Sequence, residues 1–246
     1  MRFVGQAAFV AGATGPVGRA VVRALAAEGA RVAVHHRHDD VGAKELAAAV
    51  DGLAVGADLG DESALDAAAR TVEDAFGPVR LLVNAAHPRR DVHAAVADTS
   101  PDDLLAQFAG AVGHANLLRR LVPGMRAAGA GRIVYVAGAL MTRPAAGNGS
   151  YGAAKAAATV LTRYTALEEG RRGITANVVA PGRIVDPQAD EELTPERAEL
   201  SRTLLERMAL PAFPSPTQVA DAVLGLLAAP YVTGQTLWVT GGEPIA

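Results

Sequence analysis

The sequence lacks cysteine altogether, and aromatic residues make up only 4% of its 246 residues. The absence of cysteine excludes disulfides, thiolate metal sites and a cysteine nucleophile. Because large aromatic side chains are scarce, alanine and the aliphatic residues must form the core. Half of the chain is hydrophobic, which is typical of a folded globular protein and argues against disorder.

The sequence also lacks a strong excess of either charge and any long apolar run. Its formal net charge is −3 at pH 7, so neither nucleic acid nor an anionic membrane surface is expected as a partner. No apolar run reaches the roughly 18 residues that span a bilayer. Gly5, Gln6 and Gly12 interrupt the short apolar run near the N-terminus, which argues against a signal peptide. We expect a cytoplasmic enzyme or binding protein that acts on a small molecule.

Short apolar runs alternate with longer segments rich in Ala, Leu, Glu and Arg along the whole sequence. This alternation predicts one α/β domain over residues 1–246, a doubly wound parallel sheet covered by helices on both faces. Strands are predicted near Ala7–Ala11, Arg31–His35, Leu53–Val55, Leu81–Val83, Ile133–Ala137, Thr175–Val179 and Thr236–Val239. Helices are predicted near Val17–Glu28, Val41–Val50, Glu62–Phe76, Pro101–Ala128, Tyr151–Glu169, Pro195–Met208 and Thr217–Ala228.

Two longer irregular segments, Ala85–Ser100 and Pro181–Thr194, each follow a predicted strand. Both should therefore lie at the carboxyl edge of the sheet, where open α/β sheets bind their ligands. Long loops in compact domains are often functional. We expect residues 183–210 to form a lid over the substrate.

The first predicted strand leads into a glycine-rich turn that contains Gly12, Thr14, Gly15, Val17 and Gly18. Glycines between a first strand and a helix let the backbone approach a pyrophosphate, which the helix N-terminus attracts. Glycine also closes many ordinary turns between a strand and a helix. Its position directly after the first strand favours a dinucleotide site here.

The second strand ends in Val34-His35-His36-Arg37-His38, and no acidic residue follows before Asp39. An acidic side chain at this place binds the ribose 2′-hydroxyl of NAD, whereas an arginine suits the 2′-phosphate of NADP. Arg37 therefore favours NADP(H) over NAD(H). A solvated polar turn and a metal site of three histidines are the alternative interpretations of the same residues.

Tyr151 and Lys155 stand four residues apart at the start of a predicted helix, and Lys155 is one of only two lysines among 23 basic residues. Residues at this spacing share one face of a helix. A nearby ammonium favours the phenolate and lowers the pKa of a tyrosine, which makes the phenol a general acid or base near neutral pH. An ordinary pair on an Ala-rich helix is the structural alternative.

With these motifs in this order, the sequence resembles the short-chain dehydrogenase/reductase family over essentially its whole length. The resemblance implies a Rossmann-type sheet of about seven strands, a nicotinamide cofactor and a homodimer or homotetramer. It also implies that Tyr151 and Lys155 are catalytic and that Asp58 contacts the adenine ring. No metal is expected in the site. The implied cofactor site comprises Gly12, Thr14, Gly15, Val17, Gly18, Arg37, Asp58, Leu59, Asn84, Tyr151, Lys155, Pro181, Gly182 and Ile184.

Several residues depart from the pattern of that family. Its catalytic serine falls on Gly138 and its helix-borne asparagine falls on Gly110, so two of its four usual catalytic side chains are missing. His87 stands where the family has a glycine, and Asp186 stands where it has a threonine that contacts the nicotinamide. His87, Gly138 and Asp186 are therefore candidates for substrate contact. His87 and His114 are candidates to compensate for the missing groups, although packing or a solvated polar loop is the simpler explanation of a histidine at either position.

These observations favour an NADP(H)-dependent oxidoreductase, a ketoreductase that acts on a carbonyl or hydroxyl group of a small metabolite or polyketide-like substrate. Losing one preorganised hydrogen-bond donor typically costs roughly 10²–10³ in rate, so Gly138 predicts weakened or rearranged activity. Two alternatives keep the fold. One is redox-neutral proton transfer by a dehydratase, isomerase or cyclase, and the other is a non-catalytic NADP-binding partner protein.

Overall fold

Strands and helices alternate along most of the chain in the computed structural model, which describes residues 1–89, 93–185 and 195–243. Its strands are β1 (Ala7–Ala11), β2 (Arg31–His36), β3 (Leu53–Gly56), β4 (Val79–Asn84), β5 (Gly131–Val136), β6 (Ile174–Pro181) and β7 (Thr236–Val239). Its α-helices are α1 (Pro16–Ala27), α2 (Asp40–Ala49), α3 (Glu62–Phe76), α4 (Pro101–Ala127), α5 (Gly149–Glu169), α6 (Pro195–Arg207) and α7 (Pro216–Ala228).

The strands form a single sheet in the order β3-β2-β1-β4-β5-β6-β7, and every neighbouring pair is parallel. Successive strands run outward from β1 in one direction as far as β3, and from β4 they run outward in the other. The change of direction between β1 and β4 opens a crevice at the carboxyl ends of the strands. The predicted Rossmann-type α/β fold is confirmed, and the predicted strands and helices match the observed ones apart from small shifts at their ends.

The core has one apolar layer on each face of the sheet. In β1, Ala8 and Val10 pack in the layer beneath α1, α2 and α7, while Phe9 and Ala11 pack in the layer beneath α3, α4 and α5. Since side chains alternate between the faces of a strand, a strand buried on both sides must be apolar throughout. All five residues of β1 are buried.

Capping residues decide where several helices begin. Asp39 accepts a hydrogen bond from the Gly42 backbone N–H at the start of α2, and Ser100 accepts one from the Asp103 N–H at the start of α4. Such caps satisfy backbone donors that have no partner within the helix. No helix within the described ranges is both long enough and apolar enough to cross a membrane.

Candidate active site

The glycine-rich turn after β1 is shaped by two close backbone approaches. Gly12 has a φ of +69°, and a Cβ atom there would lie 2.6 Å from the backbone N of Ala86. A Cβ atom on Gly18 would overlap the carbonyl oxygen of Gly12. Gly15 differs from both, because the nearest atom to its Cβ position is 3.6 Å away. The fold therefore requires Gly12 and Gly18, whereas Gly15 leaves the tip of the turn open to a ligand.

His35, the fifth residue of β2, supports this turn from behind. Its Nδ1 accepts a hydrogen bond from the Gly12 N–H at 3.4 Å, and its Nε2 lies 3.1 Å from the carbonyl oxygen of Ala57. Because a carbonyl only accepts, the Nε2–H form is present. Burial lowers the pKa of His35 to about 4, so the ring is neutral. The alternative of a solvated polar turn is therefore wrong for His35, since β2 carries it into the interior.

The other histidines near this turn do not form a metal site with His35. His36 is also buried and belongs to β2, with its Nε2 3.6 Å from Oδ1 of Asp40. Among the residues that the structure describes, no three His, Asp or Glu side chains converge where they could hold a metal ion.

A cavity of about 370 Å³, called the Arg37 cavity below, lies at the ends of β2 and β3. The Arg37 guanidinium lies 3.7 Å from the Asp58 carboxylate across its rim, and both side chains are about half exposed. The Asp39 carboxylate also faces this cavity, but it accepts from the Gly42 N–H at 3.0 Å and pairs with Arg19 at 3.4 Å. Six predicted cofactor residues line the cavity: Gly12, Thr14, Gly15, Arg37, Asp58 and Leu59.

A second cavity, of about 290 Å³ and called the Tyr151 cavity, adjoins the first and shares Gly12, Gly15, Ala85 and His87 with it. The two cavities together form one cleft along the carboxyl edge of the sheet. The Tyr151 cavity is lined by the remaining predicted residues that face the cleft: Val17, Gly18, His87, Gly138, Tyr151, Lys155, Pro181, Gly182 and Ile184.

Two residues of the predicted site, Asn84 and Asp186, are not among the described residues that line either cavity. Asn84 is only 1% exposed, and its Oδ1 accepts a hydrogen bond from the Ala86 N–H at 3.0 Å. It lies beneath the cleft and holds the backbone that faces Gly12. Asp186 lies outside the described residues, as does the rest of the segment 186–194.

Lys155 lies deep beside Tyr151 and is 3% exposed. Its Nζ donates a hydrogen bond to the carbonyl oxygen of Val136 at 2.9 Å, and it lies 5.1 Å and 5.8 Å from the ring centroids of Tyr135 and Tyr151. A carbonyl and two aromatic rings are favourable neighbours for an ammonium. Burial lowers the pKa of Lys155 to about 7, so its charge titrates near neutral pH.

Gly138 lies next to the phenol of Tyr151. A Cβ atom on Gly138 would lie 3.1 Å from the Tyr151 Oη. The φ of Gly138 is 178°, an extended conformation that any residue adopts. The backbone therefore does not require glycine here, and the phenol oxygen of Tyr151 lies close to the place that a side chain on residue 138 would occupy.

His87 fills the space that Gly110 leaves empty. A Cβ atom on Gly110 would lie 2.6 Å from the Nδ1 of His87, so this ring position and a side chain at residue 110 exclude each other. Gln107 orients the ring, because its Oε1 lies 3.1 Å from the His87 Nε2. The ring packs edge-to-face against Tyr151 with 4.9 Å between centroids. His87 and Gly110, which both depart from the family pattern, are therefore packed against each other and depend on one another.

His114 belongs to a buried hydrogen-bond chain beneath the cleft. Thr162 Oγ1 donates to the carbonyl oxygen of Ala158 at 2.9 Å and accepts from His114 Nε2 at 2.9 Å, while His114 Nδ1 accepts from Asn84 Nδ2 at 3.1 Å. Burial, with a smaller contribution from the nearby Lys155 charge, lowers the pKa of His114 to about 3. A neutral His114 satisfies every group in the chain. It does not line the cleft, so it positions Asn84.

These two buried neutral histidines predict a loss of stability in mild acid. Burial lowers the pKa of His35 to about 4 and that of His114 to about 3, whereas an unfolded histidine titrates at about 6.5. Below that pH the unfolded state binds more protons, so stability falls as the pH drops from the unfolded pKa toward the folded ones. Each histidine should lower the free energy of unfolding by about 2 kcal/mol between about pH 8 and pH 5.

Urea unfolding followed by circular dichroism at the two pH values, at one protein concentration, measures this loss. A His114→Gln variant is the matched control, since glutamine both donates and accepts but does not titrate in this range. We expect it to remove about half of the histidine-dependent loss. An identical pH dependence in the variant and the wild type would contradict the assignment.

A third cavity, of about 470 Å³ and called the Arg143 cavity, opens on the other side of Tyr151. It shares Gly138, Tyr151, Pro181 and Gly182 with the Tyr151 cavity. The side chain of Leu204, from α6, contributes to its wall. A substrate seated there would therefore meet the phenol of Tyr151 directly.

Known proteins match this chain in sequence along the whole cleft. A family model described as enoyl-(acyl carrier protein) reductase matches residues 12–243, from the glycine-rich turn to the end of the described chain. A 3-oxoacyl-(acyl-carrier-protein) reductase of Staphylococcus aureus is 32% identical over 249 residues, which cover 96% of this chain and 97% of that protein. The chain belongs to the short-chain dehydrogenase/reductase family.

Two further relatives extend this comparison. A galactitol 2-dehydrogenase (L-tagatose-forming) of Cereibacter sphaeroides is 37% identical over 255 residues, covering 99% of this chain and 97% of the relative. The crystal structure of a gluconate 5-dehydrogenase from Burkholderia cenocepacia, in complex with NADP and tartrate, superposes with a TM-score of 0.89 at 26% identity and covers 100% of this chain and 97% of the other. These short-chain dehydrogenase/reductase relatives are oxidoreductases, and the predicted family resemblance is confirmed.

Proposed function

We propose that this protein is an NADP(H)-dependent oxidoreductase that reduces a carbonyl group, or oxidises the corresponding alcohol, of a small metabolite or polyketide-like substrate. One observation carries the proposal. A continuous cleft joins the open glycine turn and Arg37 at one end to Tyr151 and Lys155 at the other. Open α/β sheets bind their ligands at this edge, which supports a dinucleotide at the turn and a substrate beside Tyr151.

The residues of the cleft fit a dinucleotide. The open side of Gly15 and the first turn of α1 would hold the pyrophosphate. Arg37 would hold the 2′-phosphate, because Asp39, the first acid after β2, already caps α2 and pairs with Arg19. A bound nicotinamide would supply the hydride for reduction or take it up in oxidation.

Tyr151 would move the proton. Its Oη donates to the oxygen of a carbonyl substrate in the Arg143 cavity during reduction and accepts from an alcohol during oxidation. Lys155 in its ammonium form favours the phenolate of Tyr151. His87, oriented by Gln107 and packed against Tyr151, would position the phenol and line the path of the substrate.

Gly138 favours a slower reaction than that of relatives with a hydroxyl at this position. No side chain of residue 138 donates to the developing negative charge on the substrate oxygen. The same gap motivates redox-neutral proton transfer as the second candidate function. Product formed in the presence of NADPH without a change in absorbance at 340 nm would favour that candidate.

Replacement of Arg37 by alanine tests the choice of cofactor. We expect the dissociation constant for NADPH to rise by roughly 10- to 100-fold, because a charge-assisted contact to a phosphate is lost. Binding of NADH, which has no 2′-phosphate, should change little. Fluorescence titrations with NADPH and NADH on the wild type and the variant measure both constants.

An Arg23→Ala variant controls for the change in net charge, since Arg23 is exposed on α1 and lines neither cavity. Equal loss of NADPH and NADH binding in Arg37→Ala would show that Arg37 does not read the 2′-phosphate. If the wild type binds neither nucleotide, the oxidoreductase proposal fails as a whole.

We also propose that the protein is a homodimer or homotetramer. Large apolar side chains are exposed on adjacent helices, including Leu105 of α4 and Tyr164 and Leu167 of α5, which are 66%, 59% and 81% exposed. A second subunit would cover exposed apolar side chains of this kind. Ala154 and Ala158 of α5 are fully buried within the chain, so they are not part of its exposed surface. Light scattering at micromolar concentration tests the assembly.

We also propose that residues 183–210 form a lid over the substrate. Leu204 of α6 faces the Arg143 cavity from this segment. Residues 186–194, and Asp186 among them, lie outside the described part of the chain.

A further inference from the structure

The Arg143 cavity carries positive charge beside the reactive phenol. Arg143 and Arg183 both line it, together with His93 and Tyr151. Among its described lining residues there is no aspartate or glutamate. Neither the chemistry of Tyr151 nor the cofactor assigned above uses either arginine.

Arg143 is a largely buried cation with one hydrogen-bond donor unpaired within the described chain. Its Nη1 forms an ion pair with Glu243 at 2.5 Å, and the side chains of Arg143 and Glu243 are only 17% and 2% exposed. The Arg143 Nε is buried and has no hydrogen-bond partner among the described residues. A buried donor without a partner is unfavourable, so a ligand oxygen at this point would satisfy it.

Arg183 is the second cation, and its place is defined by packing. Its guanidinium lies 5.4 Å from the ring centroid of Phe213. The backbone beside it is held by a hydrogen bond of 3.1 Å from the Val185 N–H to the carbonyl oxygen of Pro214. Arg183 forms no ion pair with any residue in the described ranges, so its charge is uncompensated there.

The charges in this cavity select one class of ligand. Among the described residues that line or contact the cavity, Glu243 balances Arg143, and the positive charge of Arg183 has no such partner. A carboxylate would neutralise it and could accept from both guanidinium groups, whereas a phosphate dianion would leave an excess of negative charge. We propose that the substrate carries a carboxylate, which Arg143 and Arg183 bind while its carbonyl or hydroxyl group reacts beside Tyr151.

This inference rests on the proposed function for its reaction, but the carboxylate site itself does not need the cofactor. With a carboxylate on its substrate, the protein would be a reductase of oxo acids or a dehydrogenase of hydroxy acids. The cavity of about 470 Å³ has the size of a small-molecule site. Its substrate would have its two functional groups at opposite ends, one at the arginines and one at Tyr151.

The test compares three oxo acids with their methyl esters, which keep the same ketone and lose only the charge. The probes are 4-oxopentanoate, 5-oxohexanoate and 6-oxoheptanoate, whose ketone-to-carboxylate distances increase in steps. NADPH oxidation at 340 nm gives kcat/KM for each acid and each ester. For at least one chain length we expect the acid to exceed its ester by roughly tenfold or more, mainly through KM.

Substitution of the arginines then locates the site. Arg183→Gln should bring the acid-to-ester ratio close to one, and Arg183→Lys should restore part of it because the charge is kept. Arg143 is tested in the double variant Arg143→Gln/Glu243→Gln, so that no carboxylate is left buried and unpaired. Arg202→Gln removes an exposed arginine of α6 that pairs with Glu199 and Glu206 and does not line the cavity, and it should leave the ratio unchanged.

The outcomes separate this inference from the proposed function. If NADPH is oxidised but acids and esters react equally at every length, or if Arg183→Gln affects both alike, the carboxylate site is wrong and the oxidoreductase stands. If no probe is reduced, saturation-transfer NMR with each acid and the protein without cofactor shows whether the acid binds. Transfer to an acid in the wild type that disappears in Arg183→Gln supports the site without the reaction, and no transfer to any acid overturns it.

Discussion

Tyr151→Phe is expected to lower kcat by roughly 10²–10⁴, the usual contribution of a general acid or base. The variant loses only the hydroxyl, so the ring still packs against His87 and Lys155 still lies beneath it. Binding of NADPH should therefore be nearly unchanged. The measurement is NADPH oxidation at 340 nm, together with a fluorescence titration of NADPH on the same preparation.

The chain offers a matched control in Tyr135, which lies on the other side of Lys155. Its hydroxyl is buried and has no hydrogen-bond partner among the described residues, and burial raises the pKa of this phenol well above its ordinary value. Tyr135→Phe makes the same chemical change without touching the cleft. We expect full activity and, because an unsatisfied buried group is removed, a gain in stability of about 1 kcal/mol.

The two variants together distinguish three functions. If Tyr151→Phe loses activity but still binds NADPH, and Tyr135→Phe keeps its activity, acid–base chemistry at Tyr151 is supported. Retention of the biological role by Tyr151→Phe would favour a non-catalytic NADP-binding protein. If the wild type forms a product without a change in absorbance at 340 nm and Tyr151→Phe does not, Tyr151 takes part in redox-neutral proton transfer.

Gly138→Ser is expected to raise kcat/KM above that of the wild type, because it returns a hydroxyl to the side of the phenol. The extended backbone accepts the side chain, and its Cβ would lie 3.1 Å from the Tyr151 Oη, so the phenol must shift by a few tenths of an ångström. One preorganised donor at a developing negative charge is worth roughly 10²–10³ in rate. Steady-state kinetics with a ketone substrate measures the gain.

Gly138→Ala separates the effect of the serine hydroxyl from the effect of the side-chain volume that both Gly138→Ser and Gly138→Ala add. Alanine brings the same crowding against Tyr151 without a donor, so its kcat/KM should fall below the wild type. We expect serine to exceed alanine by roughly 10²-fold. Equal kinetics for the two variants would mean that the substrate oxygen does not lie beside residue 138, which would favour the redox-neutral alternative.

The fold was predictable from sequence because its signals are local and repeated. Apolar strands such as β1 are buried on both faces, and the helices between them begin at recognisable caps such as Asp39 and Ser100. Those patterns depend on neighbouring residues only. The glycine turn and the pair of Tyr151 and Lys155 are local in the same sense, since each is a spacing within one turn or helix.

The contacts that complete the site were not predictable in this way. His35 supports Gly12 across 23 residues of sequence, and Arg143 pairs with Glu243 from the far end of the chain. A histidine at the end of a strand has the same sequence signature whether it faces water or the interior. Only the neighbouring strands, β1 and β3, decide that His35 is buried and neutral.

The sequence by itself determined the order of strands and helices, the position of the glycine turn, the spacing of Tyr151 and Lys155, and the absence of side chains at Gly110 and Gly138. The tertiary structure decided what occupies the space around them. It places His87 where a side chain on residue 110 would lie, brings the Tyr151 phenol to within 3.1 Å of the place of a Cβ atom on residue 138, and brings Arg143 and Arg183 to the same cavity. The physical reason is that packing and charge balance depend on atoms brought together from distant parts of the chain, which no local pattern records.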